Sequence, residues 1–138
     1  MSASKRETIL ARVATALSGV SATVCRSRVD ALARSEFPVV IIEPVNESAD
    51  RQNIARIEWT LNFKVTIAIR HDIPDSNSDT LINSVYNAIM SDNTLLDMCT
   101  NPDPQSFDWD FQEADVPLGI ITMQFAAGHQ TNYQDLTT

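Results

Sequence analysis

Glycine is scarce in this chain: Gly19, Gly119 and Gly128 are the three in 138 residues. A phosphate-cradling loop needs several glycines close together, so P-loop and dinucleotide-binding motifs are excluded. Cysteine is as sparse. Cys25 and Cys99 lie far apart, and no CxxC or Cys/His spacing suggests zinc. A single disulfide between them is possible but nothing requires it, and reduced thiols in a cytoplasm are the expectation. No apolar run approaches the roughly 18 to 20 residues of a membrane span. The first ten residues, MSASKRETIL, contain no apolar core of a secretory signal. A soluble protein with no cofactor is therefore expected. HExxH and GxSxG patterns are also missing, and His71 and His129 stand without the partner spacing of a catalytic site.

Positive charge is missing from half of the sequence. No Lys or Arg follows Arg70, while eleven acidic residues do. Residues 1–37 carry six bases against three acids, and residues 38–72 carry four against five, so the net charge of −8 is strongly polarised. So acidic a chain argues against unspecific nucleic-acid binding, which needs Lys and Arg to neutralise phosphates. Polarised charge suits a head-to-tail contact between copies, and acidic loops that aid solubility would read the same way.

What is present is one domain's worth of chain with ordinary globular composition, 43% hydrophobic and 20% charged. Residues 4–18 place Ile9, Val13 and Leu17 on one helical stripe, with Ser4 and Glu7 at capping-box spacing and Gly19 placed to end the helix in the left-handed region. Residues 20–29 read as a short strand or an extended connector. Phe37 to Val45 reads as a strand whose Pro38 and Pro44 push its ends toward an edge or a bulge. Residues 46–53 are polar enough to read as a hairpin loop. A second amphipathic helix is expected over roughly 78–91, then a helical turn restarting at Asp92. Phe107, Trp109 and Phe111 alternate with Asp108 and Asp110 as a half-exposed strand would. A last strand follows, with both faces covered or a bulge near Gly119. The expected fold is α+β: a mainly antiparallel sheet, two helices on one face and a long projecting hairpin. A single domain over 1–128 and a polar, mobile tail over 129–138 complete it.

The strand Ile57 to Arg70, IEWTLNFKVTIAIR, alternates apolar and polar residues for fourteen positions. At about 3.4 Å each it spans roughly 45 Å, whereas a compact domain of this length is roughly 37 Å across. It must bend or project. A projecting end would bare Ile57 and Trp59 and call for a neighbouring copy to cover them. Arg51 and Arg56 flank that tip and are candidate interface cations, as are Arg26 and Arg28 in the short first strand. Asp108 and Asp110 complete the candidate contact set. With Glu113 and Asp115 the same two carboxylates form the most enzyme-like feature of the chain, as ligands of a divalent metal or for acid–base work, although alternation of Asp108 and Asp110 with aromatics marks the solvent face of a strand.

The order of these segments carries a resemblance. RETILARVATAL, then FPVVIIEPVNE, then the long strand, then DTLINSVYNAIMSDNTLLDM, then IITMQFAAGHQTNY resembles the tail terminator (tail completion) proteins of long-tailed bacteriophages. The resemblance implies a small α+β virion protein, without catalysis, that forms a hexameric ring on the head-proximal end of the tail. It further implies that the ring caps the tail tube, stops its polymerisation and offers the surface for head joining. Its implied partners are copies of itself, the tail tube protein and a head-completion or neck protein, with any DNA that passes through the ring bound without sequence specificity. Assembly in the host cytoplasm follows from the same resemblance. Alternatives are a head-closure neck protein and, from a different class, a small metal-dependent enzyme using Asp108 and Asp110.

Overall fold

A computed structural model describes residues 3–20, 22–26, 38–51, 55–70, 74–99, 102–113 and 117–137. It is α+β, with a five-stranded, mostly antiparallel sheet and three helices. In chain order these are α1 (Lys5–Ala16), β1 (Thr23–Arg26), β2 (Val39–Arg51), β3 (Arg56–Arg70), α2 (Pro74–Met90), α3 (Asn93–Met98), β4 (Asp103–Gln112) and β5 (Leu118–Asn132). Across the sheet the order is β1-β2-β3-β5-β4, with β1 parallel to β2 and every other pair antiparallel.

Local chemistry sets the helix ends. The Ser4 side chain accepts from the Glu7 backbone N–H at 3.1 Å, as the capping spacing predicts. Only half of the box forms, because the Glu7 carboxylate is held by Arg26 instead. Gly19 does not end α1 in a left-handed conformation. The helix tightens into a 3₁₀ turn over Leu17–Gly19, closed by the Val20 N–H on the Leu17 carbonyl. α2 begins at Pro74, upstream of the expected start, since a proline suits the first helical position. Asp92 caps α3 by accepting from the Leu95 N–H at 2.8 Å.

The helices bury Ile9, Leu10, Val13, Val85, Ile89 and Leu95 against the odd-numbered residues of β3 and β5, including Leu61, Phe63, Val65, Ile121, Met123 and Phe125. Phe63 and Phe125 stack at 5.4 Å between ring centres. The even-numbered side chains of these strands, such as Thr60, Lys64, Thr66 and Gln124, occupy the opposite face.

The long strand does not stand out as a two-stranded arm. β5 runs beside it in unbroken register from Arg70↔Leu118 to Arg56↔Asn132, while β2 flanks its other side from Val39 to Arg51. Ile57 and Trp59 are half-buried inside their own chain, and the Trp59 indole N–H donates to the Thr131 hydroxyl at 2.9 Å. The covering that strand length seemed to demand of a neighbour is thus partly supplied internally. Two expectations hid it. Residues 46–51 belong to β2 rather than to a loop, and residues 129–132 belong to β5 rather than to a tail. The following residues are tied down too: the Tyr133 N–H donates to the Ala55 carbonyl, and the Lys5 N–H to the Leu136 carbonyl.

β2 continues past its polar stretch because of a bulge between Pro44 and Asn46. Before it, Val40 and Ile42 face the helices; after it, Glu47 does, so the extra residue exchanges the two faces. β4 repeats the device between Pro104 and Ser106. The two bulges lie on one line across the sheet, since Pro44 pairs with Phe63, Phe63 with Phe125, and Phe125 with Pro104. The pairing of β5 with β3 passes Gly119 without a bulge.

Candidate subunit interface

β4 is the last strand of the sheet, hydrogen-bonded to β5 on one side. Its alternation, read from sequence, places Phe107, Trp109 and Phe111 on the helix side, because they pair with Met123, Ile121 and Gly119. Phe107 is half-buried and packs edge-to-face on Tyr86 of α2, with ring centres 6.2 Å apart. The helix layer does not cover the rest of the row: Trp109 and Phe111 each remain 49% exposed. Asp108 and Asp110 point to the opposite face and are exposed. Asp108 accepts a long bond from the Ser106 hydroxyl at 3.4 Å. Among the described residues neither aspartate has an ion pair, and no group of three His, Cys, Asp or Glu is placed to hold a metal.

The structure separates the other candidates from this row. Arg26 lies on β1, at the far edge of the sheet, and grips Glu7 through two bonds of 3.0 and 3.1 Å. That grip holds the Glu7 carboxyl below its usual value. Arg56 donates to the Asn132 side chain at 2.9 Å, at the far end of β3 with Ile57 and Trp59. The Arg51 backbone pairs with Ile57. Arg28 lies outside the described residues, as does the His71–Asp72 pair. The seven described candidates therefore divide among both sheet edges and the β2–β3 tip, with Asp108 and Asp110 alone on β4.

A buried polar cluster lies where sequence reading placed a loop and a tail. Glu47 on β2 accepts from Arg6 of α1 at 3.0 Å and meets His129 Nε2 of β5 at 2.7 Å. The His129 side chain is 3% exposed, and its Nδ1 has no partner among the described residues. Arg12 holds Asp92 in a two-pronged pair at 3.0 and 2.9 Å, and the Asp92 carboxyl lies below its ordinary value through that pair and the Leu95 N–H. Arg6 and Arg12 thus clamp α1 to β2 and to the start of α3, and Arg26 ties β1 to α1. An open cleft of about 370 Å³ lies beside this cluster, lined by Glu58, Asp97, Met98, Cys99, His129 and neighbours. Its thiol is not a ready nucleophile: burial pushes Cys99 up to about 11, and its Sγ donates to the Leu95 carbonyl. Cys25 is half-buried, and both cysteines are unbridged.

No protein-family model matches the chain, and no curated protein is significantly similar to it in sequence. Among the described residues, no helix is long and apolar enough to cross a membrane.

Proposed function

We propose that this chain is a structural subunit of a ring that caps the tail tube of a long-tailed bacteriophage, a tail terminator. The observation that carries the reading is the β2-β3-β5 ribbon. β3 and β5 are 15 residues each and paired from end to end. At about 3.4 Å per residue they reach roughly 50 Å, more than the roughly 37 Å width of a compact domain of this length. An element of that length, stiffened by helices on one face, is a strut suited to the wall of a ring. The order of helices and strands is also the one on which the resemblance to tail terminators rests. In this reading the ring ends tube growth, and its second surface receives a head-completion protein.

Electron microscopy of the purified full-length protein tests the proposal. Closed rings of uniform diameter are expected, with six copies if the resemblance extends to stoichiometry. A single monomeric species by light scattering up to 100-micromolar-scale protein (about 10⁻⁴ M, well above the micromolar range of standard interfaces), with no rings on the grid, would overturn it.

A further inference from the structure

We propose that the cleft beside the Glu47–His129 pair is a binding site for a small organic amine, whose ammonium donates to His129 Nδ1 and sits between the carboxylates of Glu58 and Asp97. The site is independent of the ring reading above. The His129 side chain is 3% exposed, and its Nδ1 is a buried nitrogen without a hydrogen-bond partner. Buried polar atoms in that condition are rare, and each needs a cause. The neighbour fixes the tautomer. Glu47 gives one oxygen to Arg6 at 3.0 Å and the other to His129 Nε2 at 2.7 Å. A carboxylate only accepts, so Nε2 carries the proton, and Nδ1 of the neutral ring is left as an acceptor. The missing partner is therefore a donor.

The two nitrogens of an imidazole face away from each other. Nε2 is turned across β3 to Glu47 on β2, so Nδ1 is turned away from β2. The cleft lies on that side. Asp97, Met98 and Cys99 at the end of α3 form one wall, and Glu58, His129 and Gln130 the other. At about 370 Å³ it falls within the size range of small-molecule sites. Its charges choose the ligand. Glu58 and Asp97 have no ion pair among the described residues, so the cleft repels anions and draws in a cation. The same stretch of β5 already accepts one ammonium: Lys5 Nζ donates to the Gln130 carbonyl at 2.8 Å. A metal ion fits less well. Among the described residues no group of three His, Cys, Asp or Glu is placed to hold one, and the Cys99 thiol donates to the Leu95 carbonyl. An organic ammonium brings its own N–H donors to Nδ1 and the two carboxylates, and Met98 offers its carbon chain an apolar wall.

The test is nuclear magnetic resonance on the full-length, nitrogen-15-labelled protein, titrated with n-butylammonium chloride at about pH 8. The chain has two histidines, so the ring nitrogens of His129 are read directly in a long-range proton–nitrogen spectrum. The expected result is a saturable shift of the Nδ1 signal toward its hydrogen-bonded position, with Nε2 still protonated. In Glu58→Gln/Asp97→Asn, changed at half-buried and exposed positions, the apparent dissociation constant should rise about 10-fold. Tetramethylammonium, which has the charge but no N–H, should leave Nδ1 unmoved. An Nδ1 signal that ignores butylammonium, or that answers equally to tetramethylammonium, overturns the site. So does an unchanged dissociation constant in the double variant, or a proton found on Nδ1 instead of Nε2 in the free protein. None of these outcomes touches the ring reading, which electron microscopy decides.

Discussion

Glu47 is the residue on which most depends. It is one carboxylate serving two clients, Arg6 on α1 and the buried His129 on β5. Glu47→Ala would leave His129 with no partner on either nitrogen, and an unsatisfied buried polar group costs about 1 to 3 kcal/mol. We expect a loss of about 2 kcal/mol in urea-induced unfolding, against less than about 0.5 kcal/mol for a control change at an exposed site such as Ser48. Asp92 makes a prediction about pH. Its carboxyl lies below the ordinary value of 3.8 because Arg12 and the Leu95 N–H favour the charged form. The stabilisation is therefore complete above about pH 5 and is lost as pH falls through 3.8 toward the native value. Asp92→Asn keeps a capping acceptor and loses the charge. It should be less stable than wild type at pH 7, and in urea titrations the gap should narrow progressively as pH falls below 3.8. A gap that stays constant with pH would mean that the Arg12 pair contributes nothing. None of these partnerships was legible beforehand, because the partners are 41, 80 and 82 positions apart in sequence. The capping roles of Ser4 and Asp92 were legible, because their partners are three residues away.

At the scale of elements, local periodicity was sufficient wherever one face of an element is apolar. α1, α2, the α3 turn, β3 and the aromatic half of β4 all meet that condition. It fails in the outer halves of β2 and β5, where the inward face carries Glu47, His129 and Thr131 instead of aliphatic groups. Those stretches read as loop and tail, and their loss from the reading made β3 look unaccompanied. The bulge at Val45 compounds the difficulty by switching the face in mid-strand. Deleting Val45, which is 48% exposed, should by contrast cost little, because it is the extra residue that the pairing skips. Without it, Pro44 and Asn46 would face Phe63 and Asn62 as ordinary neighbours, and Glu47 would stay opposite Leu61 on the helix face. The expected sign is additivity: the deletion and Glu47→Ala together should cost the sum of the two within about 0.5 kcal/mol in a double-mutant cycle. Trp59 also changes meaning. With its indole bonded to the buried Thr131, Trp59→Glu should lower the unfolding midpoint of the monomer itself rather than act on assembly alone.

For the whole molecule, the charge split of the sequence becomes a split between the edges of one sheet. β1 comes from the basic part, β4 from the part without a single base, and three strands separate them. The described N-terminal arginines are engaged within the chain, by Glu47, Asp92 and Glu7. The described acids of β4 have no such pairing, so the acidic edge is the more available of the two. Because the sheet is continuous and its core is one cluster, heating a dilute sample should give one cooperative transition, coincident by near- and far-ultraviolet circular dichroism. Two separated transitions would mean that the outer half of the ribbon melts independently of the helical layer.

The aligned bulges beside Pro44 and Pro104 have a consequence for descent. They divide the sheet into two panels whose inside-outside code is written in opposite parity on β2 and β4, while β3 and β5 keep one parity throughout. Mutation can drift freely within each panel. Loss of the skipped residue at either bulge would leave both panels in phase with their unbroken neighbours, since the pairing already passes it by. Lineages sharing this architecture should accordingly tolerate the loss of one residue at each proline step more readily than anywhere else along β2 and β4.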